Sequence, residues 1–328
     1  MTTLCRLASL RAYTPDTVVT NDDLTKFTDT NDAWIVSRSG IRERRRLADD
    51  ENASDLALTV AESALEAVGM EARELTHIIT ATCTPDFLSP SVACILAGKL
   101  NAGPVMAFDF SAACSGFLYG LSLVRSILAG NRDANILFVC VEALTRRLNW
   151  ADRSTCVLFG DGATACVCSG VTRPDDATVD DVICKSDGAM TDLLAIGGGT
   201  ACRYGLGQPV GPDFFVQMNG RETYKHAVRR MTEVCEEILG RNHLAMGDVN
   251  LFVPHQANIR IIEAVGNRLG VESDRVFTNV ERFGNTSSAS IPIALAQARA
   301  QDLVRPGARV LVTAFGGGLT WGAALLRF

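Results

Sequence analysis

The chain has 328 residues, 47% of them hydrophobic and 21% charged, with a formal net charge of −6 at pH 7 and a sequence pI near 5.3. This is globular composition with ample apolar material for a core, and its acidic balance argues against nucleic acid or an anionic membrane as partner. The start, MTTLCRLASLRAYTP, holds no sustained apolar segment and carries Arg6 and Arg11; no window is expected to reach the about eighteen apolar residues that span a bilayer, so the expected location is the cytoplasm.

Helical periodicity runs from Ser54 to Gly69, and THIITATC then reads as a buried strand. A helix over 90–100, a strand over 105–109, a long helix from Cys114 to Ala129 and the β-branched run ANILFVCVEAL follow. Residues 187–214, rich in Gly and Pro, predict a long loop that shapes or covers a binding site. Beyond it the order repeats: a helix from Gly220 to Leu239, the strand VNLFVP, a helix from Asn258 to Leu269, a short strand near RVFTN, a helix after Asn285 and the strand ARVLVTAF. Ile136 and Val310 lie 174 residues apart, Ile78 and Leu251 173, Cys114 and Asn285 171. The near-constant offset predicts an α/β protein duplicated into two pseudo-symmetric halves, 1–172 and 173–328, with helices on the faces of parallel or mixed sheets.

Eleven cysteines are odd in number and scattered, and Cys140, Cys156, Cys166 and Cys168 fall in apolar runs, as buried free thiols in a reducing compartment do. Without a CxxC pair or a Cys/His cluster, no metal site is expected. His77, His226 and His243 read as structural or solvent-facing, and FGDGATA does not follow the G-x-G-x-x-G pattern of a dinucleotide loop.

Cys114 in DFSAACSGFLYGL sits among small residues where a strand gives way to a helix. A helix N-terminus is expected to lower the thiol pKa below its free value of about 8.5 and to supply N–H groups for an oxyanion. In VPHQAN, His255 lies just beyond a strand, and in RFGNTSSAS, Asn285 follows a glycine at another strand-to-helix turn. The run AFGGGLTWGAALL reads either as a tight hairpin or as a backbone N–H aimed at a substrate oxygen. Singly these have plain readings: a small buried thiol, a hydrogen-bonded histidine, a turn asparagine. Together, at corresponding turns, Cys114, His255 and Asn285 predict one site.

AACSGF, VPHQAN, FGNTSSASIP and AFGGGLTWGAALLRF, with TNDAWIVSRSGIRERR and FGDGA, closely resemble the β-ketoacyl-acyl-carrier-protein synthase III family of the thiolase-fold superfamily. The likeness implies a duplicated five-layer αβαβα fold, a homodimer, and a catalytic triad of Cys114, His255 and Asn285, with the backbone of Cys114 and Gly317 as oxyanion hole. It implies condensation of a short acyl-CoA primer with malonyl-acyl-carrier protein through an acyl-Cys114 intermediate, with no metal and no cofactor beyond the thioester substrates. Trp34, Arg38, Arg153 and Asn258 match CoA-binding positions, and Lys225, Arg260 and Arg268 would meet the acidic carrier protein. Phe87, Leu88, Ser89, Leu144 and Phe159 would form the acyl pocket, with Ser89 replacing the bulky aromatic of many members. Two rivals remain at this stage: a non-decarboxylating acyltransferase of the same fold, and a non-catalytic subunit that binds CoA or carrier protein.

Overall fold

The strand-forming runs are buried on both faces, as a sheet covered by helices on each side requires. The computed structural model describes residues 5–170, 177–199 and 211–328. Its strands are β1 (Cys5–Tyr13), β2 (Thr17–Thr20), β3 (Glu43–Arg46), β4 (His77–Ala81), β5 (Met106–Phe110), β6 (Asn135–Glu142), β7 (Gly162–Ser169), β8 (Ala177–Ser186), β9 (Leu194–Ile196), β10 (Val216–Met218), β11 (Leu251–Pro254), β12 (Arg309–Gly316) and β13 (Thr320–Arg327). The helices are α1 (Asn21–Leu24), α2 (Asp32–Ser39), α3 (Ala53–Glu66), α4 (Val92–Lys99), α5 (Gly116–Gly130), α6 (Gly220–Arg241), α7 (Ile259–Leu269), α8 (Val280–Phe283) and α9 (Ser290–Ala300).

Nine strands form one mixed sheet in the order β11-β12-β13-β8-β1-β7-β6-β4-β5, while β2-β3 and β9-β10 form two small ribbons. Outward from the central β8-β1 contact, each side runs through an antiparallel strand into a parallel set: β1, β7, β6, β4, β5 on one side and β8, β13, β12, β11 on the other. The parallel registers repeat as well. His77 pairs with Ile136 and Leu251 with Val310, each member of the second pair 174 residues after its counterpart. The short strand expected near RVFTN is only a single bridge between Val276 and Phe252, so the fifth position of the second side is rudimentary. The expected boundary at 172 lies outside the described residues.

Helices α5 and α9 pack in one apolar cluster with strands of both sides. Helices α3 and α4 cover the outer face of β4, β6 and β7, and α6 and α7 that of β8, β11, β12 and β13. The result is the expected five-layer αβαβα sandwich, with α5 and α9 in its middle layer. That middle layer corrects one expectation. The 18-residue stretch Ala113–Gly130 is long and apolar enough to cross a membrane by composition, but half of it is buried as a core helix. The middle layer of a five-layer stack needs an element that is apolar over most of its circumference.

Within the expected 187–214 loop, the described residues include a 3₁₀ turn at Gly188–Leu193 and strand β9, which pairs with β10; residues 200–210 lie outside the description. All ten described cysteines are free thiols, and Cys140, Cys156, Cys166 and Cys168 are buried as expected.

Gly120 on α5 is where this packing is tightest, since a Cβ there would lie 2.0 Å from Cζ of Phe138. Phe138 is buried and stacked on Phe117, so the ring has no free space to enter. Gly120→Ala is expected to lower the free energy of unfolding by about 1–3 kcal/mol in urea titrations, despite the better helix propensity of Ala. Unchanged stability would contradict this account of the middle layer.

Candidate active site

The site forms where the parallel strands end. Thr82–Thr84 follow β4, Cys114 lies just after β5, and Glu142 closes β6; from the other side His255 follows β11 and Gly317 follows β12. In open α/β sheets the carboxyl ends of parallel strands are the usual place for a ligand. Two 3₁₀ turns, Ala113–Ser115 before α5 and Ser287–Ala289 before α9, pack on one another there. Each opens on a left-handed residue, Ala113 at φ 46° and Ser287 at φ 48°. Such backbone is uncommon for residues with a side chain and clusters at functional sites. Gly316 lets β12 reach this place, because a Cβ on it would stand 2.7 Å from the Cys114 backbone nitrogen.

Cys114, His255 and Asn285 line one cavity of about 450 Å³, together with Arg38, Phe159, Leu194, Asn258, Arg260 and Phe315. Cys114 also lines a second cavity of about 830 Å³. All five expected acyl-pocket residues, Phe87, Leu88, Ser89, Leu144 and Phe159, lie on it, as does Gly317. The sulfur therefore sits at the junction of two spaces.

His255 is 3% exposed, and burial depresses its pKa to about 3, so the imidazole is neutral. Its Nδ1 lies 2.5 Å from the Ser290 hydroxyl, whose oxygen also accepts the N–H of Gln256 at 3.4 Å. Where the Ser290 hydroxyl donates to Nδ1, the ring proton sits on Nε2. Nε2 is buried with no hydrogen-bond partner among the described residues, which leaves it for a ligand. The Asn285 Oδ1 accepts the N–H of Ser287 at 2.8 Å, which turns the amide NH₂ toward the Cys114 sulfur, to which the Asn285 side chain hydrogen-bonds.

The expected lowering of the Cys114 pKa is reversed. Burial pushes the thiol up to about 12; the Ser287 side chain opposes that rise, the charge of Glu142 adds to it, and Asn285 opposes it again. Desolvation of the thiolate outweighs the hydrogen bonds that Ser287, the Cys114 backbone and Asn285 offer it, and among the groups acting on the sulfur none is cationic.

Near the mouth of the first cavity, the guanidinium of Arg38 lies 5.3 Å and that of Arg153 4.9 Å from the centre of the Trp34 ring. Asn31 caps α2, and Gly40 ends it at φ 79°, where a Cβ would strike Ile259 at 2.8 Å. Asn258 caps α7 through the N–H of Arg260 and donates to the Arg38 carbonyl at 3.0 Å, so it joins the two helices while lining the cavity. Of the three expected carrier-protein contacts, Arg260 lines the mouth and stands 5.9 Å over Tyr224. Lys225 is exposed and paired with Glu222, and Arg268 lies in the last turn of α7; neither lines the cavity.

The sequence models of the family described as 3-oxoacyl-[acyl-carrier-protein (ACP)] synthase III match residues 108–188 and, for its C-terminal part, 239–328. A relative from Nitratidesulfovibrio vulgaris (strain DSM 19637 / Miyazaki F), named beta-ketoacyl-[acyl-carrier-protein] synthase III, is 57% identical over 99% of this chain and 98% of its own. The chain belongs to the β-ketoacyl-[acyl-carrier-protein] synthase III family. A namesake from Roseiflexus sp. (strain RS-1) is 44% identical over 96% of this chain and 95% of its own. Among solved structures, 3-oxoacyl-[acyl-carrier-protein] synthase III from Aquifex aeolicus VF5 superposes with a TM-score of 0.89 at 41% identity, covering 99% of this chain and 100% of that one.

Sequence reasoning within this family missed Ser287, Ser288, Ser290, Glu142 and the lining residues Leu194 and Phe315. The serine run in NTSSAS and the lone carboxylate ending the apolar run ILFVCVE were the available signals. Because burial governs the thiol, alkylation of Cys114 by iodoacetamide, followed by peptide mass spectrometry, is expected to rise about tenfold per pH unit between about pH 7 and pH 9. A plateau near neutrality would contradict this reading.

Proposed function

We propose that this chain catalyses the initiating decarboxylative condensation of fatty acid synthesis, joining a short acyl-CoA primer to malonyl-acyl-carrier protein. The Cys114 sulfur attacks the primer's thioester carbon, the carbon–sulfur bond to CoA breaks, and the thiol proton ends on the departing CoA. The N–H groups of Cys114 and Gly317 hold the oxyanion during that exchange. Malonyl-carrier protein then loses carbon dioxide, and the electron pair of the broken carbon–carbon bond collects on the thioester oxygen as an enolate. His255 Nε2–H and the Asn285 NH₂ donate to that oxygen, and the enolate carbon attacks the acyl group, releasing the Cys114 thiolate to take up a proton. Neutral donors suit this step because they stabilise the enolate without protonating its carbon.

The observation that carries the reading is the buried, unpartnered Nε2 of His255 on the same cavity as Cys114 and Asn285. It favours condensation over simple acyl transfer, which needs no second oxyanion site, and over a binding subunit, which needs no nucleophile. CoA enters past Trp34, Arg38, Arg153 and Asn258, with Arg260, Lys225 and Arg268 meeting the carrier protein. The primer's acyl chain occupies the cavity lined by Phe87, Leu88, Ser89, Leu144 and Phe159. The reaction uses no cofactor beyond the thioester substrates, and the two halves 1–172 and 173–328 act as one unit within a cytoplasmic homodimer. Support for the dimer comes from the free sheet edge at β5, where Met106 is exposed, and from Leu88, which is 85% exposed.

Purified protein given labelled acetyl-CoA and malonyl-carrier protein is expected to yield a 3-oxoacyl product with release of carbon dioxide. His255→Ala and Asn285→Ala should each slow decarboxylation by about 10²- to 10³-fold while sparing most of the acylation of Cys114. Acyl transfer without carbon dioxide release in the unmodified protein would support the transferase instead.

A further inference from the structure

Glu142 is fully buried at the end of β6, and its carboxylate collects four donors from two other parts of the chain. Oε2 accepts the backbone N–H of Cys83 and the Cys83 thiol, both at 3.1 Å, and the Thr84 hydroxyl at 2.9 Å. Oε1 accepts the Ser288 hydroxyl at 2.8 Å. Among the described residues no lysine or arginine pairs with it, although a buried carboxylate without a cation is costly unless its hydrogen bonds are complete. A site that retains such a group has a use for it beyond packing. The residues it grips are those that wall the sulfur: Cys83 and Ser287 line the cavity that holds Cys114, and Ser288 follows Ser287 in the turn whose first N–H is taken by Asn285.

We infer that Glu142 is a positioning residue for the condensation: its carboxylate clamps the turn carrying Asn285, Ser287 and Ser288 to the turn after β4, so that both are held against the Cys114 sulfur. The inference rests on the condensing function proposed above. Without the clamp, the Ser288 hydroxyl has only the Ala81 carbonyl, at 3.3 Å, to donate to, and the turn that orients Asn285 through the Ser287 N–H is tied down less firmly. The charge has a second effect at the same place. Glu142 opposes ionisation of Cys114, and the other titratable groups facing the pair, Cys83, Cys140 and the neutral His255, supply no cation to offset it. Removing the charge therefore eases thiolate formation, while removing the clamp impairs turnover.

The test compares Glu142→Gln, which keeps the shape without the charge, with Ser288→Ala, which removes a single hydroxyl from the clamp. Each is assayed for 3-oxoacyl product with varied acyl-CoA, and for site-resolved iodoacetamide alkylation of Cys114 against pH. Both variants are expected to lose about tenfold or more in kcat with KM for acyl-CoA changed less than about twofold, the pattern of an interaction that matters after the primer has bound. Glu142→Gln is expected in addition to move the alkylation curve to lower pH. If both variants fold with kcat and alkylation curves equal to the parent's, Glu142 is packing alone and the inference is overturned. Should Glu142→Gln fail to fold, Ser288→Ala decides by the same kcat criterion. Should the parent form no 3-oxoacyl product, the condensing function fails by itself, while the alkylation curves still report on Glu142.

Discussion

Burial of α5 and α9 between the two sides of one sheet is the constraint on which the rest depends. Two helices in the middle layer of a five-layer stack must begin at the same edge of the sheet if the parallel strands that feed them run the same way. Their opening turns, Ala113–Ser115 and Ser287–Ala289, are consequently pressed together. Closeness at that point demands small residues: a Cβ on Gly116 would lie 2.9 Å from the Ser288 Cβ, and the Gly316 backbone abuts the Cys114 nitrogen. Side chains 171 residues apart in sequence thereby become neighbours around one sulfur.

The same burial decides the electrostatics. Shut from water, the Cys114 thiol rises to about 12 and the His255 imidazole falls to about 3, both in the direction that favours the neutral form. A site whose thiol and imidazole are both neutral suits a reaction whose critical charge appears only as bonds rearrange. Preorganised neutral donors act there at little reorganisation cost, and helix ends add a fixed positive potential. The buried carboxylate beside Cys114, Glu142, is held by four donors.

Much of this was legible in the sequence, for identifiable reasons. Continuous apolar runs mark the parallel strands, which are covered on both faces, and a 3.6-residue period marks the amphipathic helices; the 174-residue repeat survives because both sides solve the same packing problem. Cys114, His255 and Asn285 stand out as polar residues at strand ends within small-residue turns. What escaped was set by partners distant in sequence. The antiparallel strands β1 and β8 are bounded by weak turn signals, and the run at RVFTN has strand composition but only Phe252 to pair with. The thiol's pKa was misread because a helix start is visible in sequence and desolvation is not. Ser290, Ser288 and Glu142 matter only through His255, the 285–288 turn and Cys83, contacts that no spacing encodes.

The account stands on Cys114, which lines both cavities, being the residue that holds the acyl group. Its most direct measurement is peptide mapping by mass spectrometry after the protein is quenched from a mixture with acetyl-CoA alone. One acetyl group on the peptide carrying Cys114, and none on the other ten cysteines, is the predicted result. Acetyl mass on a different cysteine, or no covalent adduct at all, would contradict it.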